Sequence, residues 1–80
     1  MKLETLKSHI ATGREIEFSY GDKMYSITYT FTNKIQTIHF CQFSNPSQDY
    51  VSADDFLASA TIGEEYLRDL LGLVEDVVVY

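Results

Sequence analysis

The residues best suited to chemistry in this sequence are a histidine and a cysteine two positions apart, His39 and Cys41. On a β-strand, side chains two positions apart point to the same face of the sheet. A thiol beside an imidazole is the arrangement that activates nucleophilic cysteines. Glu15 and Glu17 could orient the imidazole ring or complete a weak metal site. These four residues form the candidate catalytic or metal-ligating set.

The geometry of an extended strand argues against this chemistry. Side chains at positions i and i+2 lie roughly 6–7 Å apart, which is beyond the hydrogen-bond reach that a nucleophile and its base need. An exposed, flat sheet face also excludes no water and offers no pocket or oxyanion donors. We therefore expect these side chains to be ordinary polar residues of a solvent-facing surface, and we predict no enzymatic activity, cofactor or metal.

The candidate residues lie in segments that alternate apolar and polar residues with the period of two that is typical of strands. Gly21-Asp22 suits a type II′ turn, which places Phe18 opposite Tyr25. Asn33-Lys34 suits a second two-residue turn, which places Ile27 opposite Phe40 and leads into a third strand from Ile35 to Phe43. The two turns predict a single apolar face, made of Ile16, Phe18, Tyr25, Ile27, Tyr29, Ile38 and Phe40. The opposite face carries two polar rows, Glu15, Thr28 and His39, then Glu17, Ser26 and Cys41.

The remaining segments predict helices and further strands. Apolar spacing and Gly13 indicate a helix over residues 2–12, and a short extended piece follows around Asp49–Val51. Ser52-Ala-Asp-Asp55 and Thr61-Ile-Gly-Glu64 resemble capping boxes that open two short helices. Residues 75–80 read as a terminal strand, because three consecutive valines disfavour a helix.

The sequence thus predicts one α+β domain over residues 1–80. An N-terminal helix and two short C-terminal helices cover one face of an antiparallel β-meander, and a C-terminal strand completes the fold. The position of that strand stays open: it is an inner strand, which we favour, or an edge at which Val78 and Tyr80 pair with a second copy or a partner.

Charge is distributed unevenly along the chain. Residues 1–42 hold five Lys and Arg against four Asp and Glu, whereas residues 43–80 hold one against eight. This acidic half disfavours nucleic-acid binding, which depends on Lys and Arg at the phosphates. The pairs Asp54-Asp55 and Glu64-Glu65 suit helix starts, and they are also candidate contacts for a basic partner.

The composition of the sequence limits where in the cell we expect the protein. No apolar run reaches the length of about 18 residues that a membrane span needs, and the first residues lack the pattern of a signal peptide. The single cysteine, Cys41, excludes an internal disulfide. We therefore expect a cytoplasmic protein without a membrane association.

The stretch Arg14-Glu-Ile-Glu-Phe-Ser-Tyr20, followed by Met24-Tyr-Ser-Ile-Thr-Tyr29, resembles short uncharacterised proteins encoded by Gram-positive bacteria and their mobile elements. The resemblance supports the fold and implies no catalytic or binding residues.

The sequence is most typical of a small, non-enzymatic protein-interaction module, either a monomer or a homodimer. Two alternatives remain. One is an enzyme or metal-dependent factor that uses Glu15, Glu17, His39 and Cys41; the other is an acidic inhibitor of a DNA-binding protein.

Overall fold

An antiparallel meander forms the centre of the computed structural model, which describes all residues from Met1 to Tyr80. Its strands are β1 (Ile16–Tyr20), β2 (Lys23–Thr32) and β3 (Ile35–Gln42). Phe18 lies opposite Tyr25 and Ile27 lies opposite Phe40, so the predicted pairing is confirmed.

The two turns adopt the backbone conformations that this pairing requires. Gly21 has a φ of 65°, the left-handed value that a type II′ turn needs at its first position. Asn33 and Lys34 have φ values of 52° and 66°, as in a type I′ turn. Both turns match the right-handed twist of the strands that they join, and the meander therefore closes without a bulge between β1, β2 and β3.

Two more strands complete a five-stranded antiparallel sheet. They are β4 (Gln48–Tyr50) and β7 (Glu75–Val79), and the sheet order is β4-β3-β2-β1-β7. The other elements are α1 (Leu3–Ala11), α2 (Ala53–Ser59), the hairpin strands β5 (Thr61–Ile62) and β6 (Glu65–Tyr66), α3 (Leu67–Leu70) and a 3-10 turn (Leu71–Leu73). The α+β fold class is confirmed.

The core lies between the apolar sheet face and the helices. The rings of Phe18, Tyr25 and Phe40 stack on one another across three strands, with centroid distances of 5.6–6.3 Å. Phe56 of α2 meets Phe40 and Tyr50 edge-on, at 5.8 and 5.4 Å. Such aromatic pairs contribute about 0.5–1.5 kcal/mol each beyond the area that they bury. This cluster joins α2 to the sheet.

The remaining helical contacts come from aliphatic side chains. Leu6 and Ile10 of α1 and Leu67 of α3 are fully buried in the same core. Leu6 and Ile10 are four positions apart, so they share one face of α1. That face covers the sheet, as the apolar spacing predicts.

The second C-terminal helix begins later than Thr61-Ile-Gly-Glu64 predicts, so the capping-box interpretation of this segment is wrong. Ile62 pairs with Glu65 in a two-residue hairpin, and Gly63 has a φ of 62°. A left-handed residue at this position cannot lie in the first turn of a right-handed helix. The helix starts at Leu67, and Leu67 and Leu70 are buried as expected.

The terminal strand lies at an edge of the sheet, so the favoured interpretation of it as an inner strand is wrong. β7 pairs with β1 on one side only. The pairing shifts by one residue between Glu17 and Ser19, next to Asp76, whose φ is 53°. This bulge lies near the start of the strand and leaves Val78 and Val79 in regular register with β1.

Replacing Ile27 with alanine should destabilise the protein by about 2–5 kcal/mol, because Ile27 is fully buried in the middle strand and the change leaves a cavity. Ile35→Ala is the matched control: Ile35 is 57% exposed, and its loss should change stability by no more than about 0.5 kcal/mol. Denaturant unfolding measures both values. Equal effects from the two variants would contradict the described core.

Candidate functional site

The four candidate residues lie on or beside the sheet face that points away from the helices. Glu17 is opposite Ser26, Ser26 is opposite Cys41, and Thr28 is opposite His39. Glu17, His39 and Cys41 are half-buried, because neighbouring side chains flank them on the sheet. Glu15 precedes β1, and its carbonyl oxygen accepts a hydrogen bond from the Tyr80 N–H. The predicted row of Glu17, Ser26 and Cys41 is therefore present, as is the pair of Thr28 and His39, whereas Glu15 lies outside the β1–β2 ladder.

These residues do not form one constellation, since each has a different partner. Cys41 Sγ lies 3.3 Å from Ser26 Oγ. The Glu17 carboxylate accepts a hydrogen bond from the Tyr80 hydroxyl, and this bond raises the pKa of Tyr80. His39 binds neither Cys41 nor a glutamate. No group of three or more His, Cys, Asp and Glu side chains is placed to hold a metal ion.

His39 instead joins two residues that the sequence did not single out. Its Nδ1 lies 2.7 Å from Asp49 Oδ1, and its Nε2 lies 2.9 Å from Thr30 Oγ1. Asp49 belongs to β4 and lies directly opposite His39, whereas Thr30 belongs to β2 and lies diagonally from it. A hydroxyl, an imidazole and a carboxylate thus form one continuous chain across three strands.

The Asp49 carboxylate determines which atoms carry the hydrogens in this row of hydrogen-bonded side chains. Hydrogen bonds from His39 and then Ser47 lower the pKa of Asp49, so the carboxylate is ionised at neutral pH and can only accept hydrogen bonds. The contact with Asp49 therefore requires a hydrogen on Nδ1 of His39. In the neutral ring Nε2 is then an acceptor, and Thr30 donates its hydroxyl hydrogen to it.

Sequence reasoning could have found Thr30 but not Asp49. The predicted register places Thr30 diagonally across from His39, and a diagonal neighbour is within reach of a long side chain. Asp49 follows a five-residue connection, residues 43–47, whose conformation leaves the register of β4 undetermined. Only the fold shows that Asp49 faces His39.

A small cleft lies beside the sheet. It has a volume of about 160 Å³ and lies between the connection from β3 to β4 and the β5–β6 hairpin, with Cys41 in its wall. Pockets for drug-sized ligands typically enclose about 300–1,000 Å³. This cleft is therefore smaller than such a pocket.

The candidate interaction residues are placed at three separate parts of the surface. Asp54 and Asp55 lie in the first turn of α2, where Ser52 caps the helix by accepting a hydrogen bond from the Asp55 N–H at 3.0 Å. Glu64 and Glu65 are exposed on the β5–β6 hairpin, at its turn and at the start of β6. Val78 and Tyr80 are exposed on and just beyond β7.

No helix in the structure is both long and apolar enough to cross a membrane. No protein-family model, curated protein or solved structure matches the chain. The resemblance of the first hairpin to proteins of Gram-positive bacteria and their mobile elements thus stays a prediction.

The Asp49 contact predicts a pH dependence of stability. Because the pKa of Asp49 is lower in the folded chain than in the unfolded chain, its contribution is present above the ordinary aspartate pKa of about 3.9 and is lost as the pH falls through the folded value. Thermal melting from pH 6 to pH 2 measures the effect. Asp49→Asn should melt below the wild type at pH 6, and the two curves should converge in acid; a constant difference would contradict this contact.

Proposed function

We propose that this protein is a non-enzymatic binding module whose strand β7 pairs with an extended, basic segment of a partner protein. The observation that carries the proposal is the free side of β7, which has a sheet neighbour only at β1. A strand edge of this kind binds an extended chain through backbone hydrogen bonds, while neighbouring side chains select among sequences.

The backbone of β7 defines which groups are available. The Tyr80 N–H donates to the Glu15 carbonyl at 2.9 Å, so Tyr80 faces β1. Successive residues of a strand direct their backbone N–H and C=O groups to opposite sides. Val79, and Val77 two residues before it, therefore direct theirs to the free side, where an added strand would bind.

The two edges of the sheet differ in the protection that proteins usually give to exposed edges. β4 has only three residues, includes Asp49 and is preceded by Pro46, all of which discourage pairing. β7 has five residues, and its bulge and charges lie at its start. Val77 and Val78 beyond them are 39% and 46% exposed. β7 is accordingly the edge better suited to a partner.

Charge favours a basic partner. Of the twelve acidic residues, only Glu4 and Asp49 lie within 4 Å of a basic nitrogen, the latter of His39. The acidic residues on β7 and beside it are Glu15, Glu17, Glu75 and Asp76. Arg14 is the basic side chain at this edge, and its Nε donates to the Tyr80 carbonyl at 3.0 Å.

The same charge disfavours a second copy of the chain as the occupant. Each copy carries a formal net charge of −6, and two copies paired through β7 would bring Glu75 and Asp76 of both into one interface. Like charges placed together in an interface oppose association. A partner segment rich in lysine or arginine gains attraction at the same place.

The proposal predicts that the full chain binds a fluorescein-labelled peptide of alternating lysine and valine, with binding that weakens as salt rises. The same peptide with alternate backbone nitrogens methylated keeps its charge but cannot pair on that side, and it should bind at least tenfold more weakly. Fluorescence anisotropy measures both affinities. Equal binding of the two peptides would contradict strand pairing and would indicate general electrostatic attraction.

Two variants at one position test the edge itself. Val79→Pro removes the N–H on the free side and should abolish binding of the lysine-valine peptide, since proline on an edge strand blocks pairing there. Val79→Thr also reduces the apolar surface of this side chain but keeps the backbone N–H, and it should retain binding. Melting curves confirm that both variants fold. Equal loss of affinity in the two variants would place the binding elsewhere.

A further inference from the structure

Two hydrogen bonds join Thr30 to His39 and His39 to Asp49. A nucleophile, its base and an orienting carboxylate are joined in the same order. We propose that Thr30 is an activated hydroxyl that accepts an acyl group from activated esters, with His39 as its general base. This site lies between β2, β3 and β4, whereas the proposed partner edge is β7 at the other side of the sheet. The inference therefore stands independently of the binding function.

The distances support these roles. A base must lie about 2.6–3.2 Å from the hydroxyl whose proton it takes, and His39 Nε2 is 2.9 Å from Thr30 Oγ1. An orienting group must bind the other ring nitrogen, and Asp49 Oδ1 is 2.7 Å from Nδ1. The geometry of such a triad, and not the order of its residues in the chain, identifies it.

The orienting carboxylate is itself positioned. Ser47 Oγ donates a hydrogen bond to Asp49 Oδ1 at 2.7 Å, and Asp49 is held opposite His39 by the pairing of β4 with β3. The ionised Asp49 keeps the hydrogen of the neutral ring on Nδ1, which leaves Nε2 free to take a proton. It also stabilises the imidazolium that forms when His39 accepts that proton.

The site is open to a reactant. Thr30 is exposed at the surface of β2, and Thr32 lies two residues further along the same strand and face, also exposed. Thr32 lies opposite Ile35, whereas Thr30 has the imidazole of His39 beside it. Thr32 is therefore an internal reference for the reactivity of an ordinary exposed threonine in this sheet.

The proposed step is an acyl transfer. Thr30 Oγ forms a bond to the carbonyl carbon of an ester, and its proton moves to Nε2 of His39. The bond from that carbon to the leaving oxygen then breaks, and the departing alcohol takes the proton from His39. The products are an ester on Thr30 and one molecule of alcohol, with no other reactant required.

The surroundings of Thr30 define the class of ester. Thr30 pairs with Thr37 in the β2–β3 ladder on an exposed sheet face, and it is not one of the residues that line the cleft, so no enclosed pocket surrounds it. The acceleration must therefore come from the base, and general-base catalysis contributes about 10²–10⁴-fold. Esters with a good leaving group, such as aryl esters, need no more assistance than this.

The test uses the full chain and p-nitrophenyl acetate at neutral pH. Samples are quenched at short times, and fragment-ion mass spectrometry measures the acetyl group on Thr30 and Thr32 separately. We expect Thr30 to be acetylated at least tenfold faster than Thr32. Equal rates at the two residues, or acetyl groups that accumulate on His39 and never on Thr30, would overturn the proposal.

Substitutions then test the assigned roles. His39→Asn should reduce acetylation of Thr30 to the rate of Thr32, and Asp49→Asn should reduce it at least severalfold by favouring the wrong ring tautomer. Thr37→Val is the matched control, since Thr37 is opposite Thr30 and its removal should leave the rate unchanged. Circular dichroism confirms folding. If the variants unfold, the comparison of Thr30 with Thr32 in the wild type still decides the proposal.

Discussion

The register between β1, β2 and β3 is the constraint on which the rest of the structure depends. Side chains alternate between the two faces, so a shift of one residue would move every apolar side chain of a strand to the solvent. The turns at Gly21-Asp22 and Asn33-Lys34 prevent such a shift, because each provides the positive φ that a two-residue loop requires. The aromatic core on one face and the polar rows on the other are both consequences of this register.

Local signals were enough to predict this part of the fold. Turn chemistry and alternation act over a few residues, and the pairs Phe18 with Tyr25 and Ile27 with Phe40 follow from them. Contacts between distant segments were not accessible in the same way. The pairing of β7 with β1 joins distant parts of the sequence: Tyr80 and Glu15, which share a hydrogen bond, are 65 positions apart. Nothing in the sequence of either segment identifies the other.

The two corrections have the same physical origin. Thr61-Ile-Gly-Glu64 matches a capping box in residue types, but the left-handed Gly63 favours a hairpin turn instead. The three valines of β7 predict a strand without indicating its position, because burial on both faces and exposure at an edge give the same residue types. In both segments, residue types define the local conformation only when the packing partner is known.

The candidate site illustrates how the sheet separates side chains that are close in sequence. His39 and Cys41 share a face, yet His39 binds Thr30 and Asp49 while Cys41 contacts Ser26. Neighbours on adjacent strands, directly opposite or diagonal, are within reach of long side chains, and here they provide the partners of both residues. The same effect places Glu17 beside Tyr80 at the β7 edge.

Amide hydrogen exchange of the free chain distinguishes an open β7 edge from a covered one. An open edge predicts alternation: the amides of Val78 and Tyr80, which face β1, exchange slowly, whereas those of Val77 and Val79 exchange at rates close to those of an unfolded peptide. Slow exchange at Val77 and Val79 that persists on dilution would mean that another part of the chain covers this edge. That result would contradict an open β7 edge.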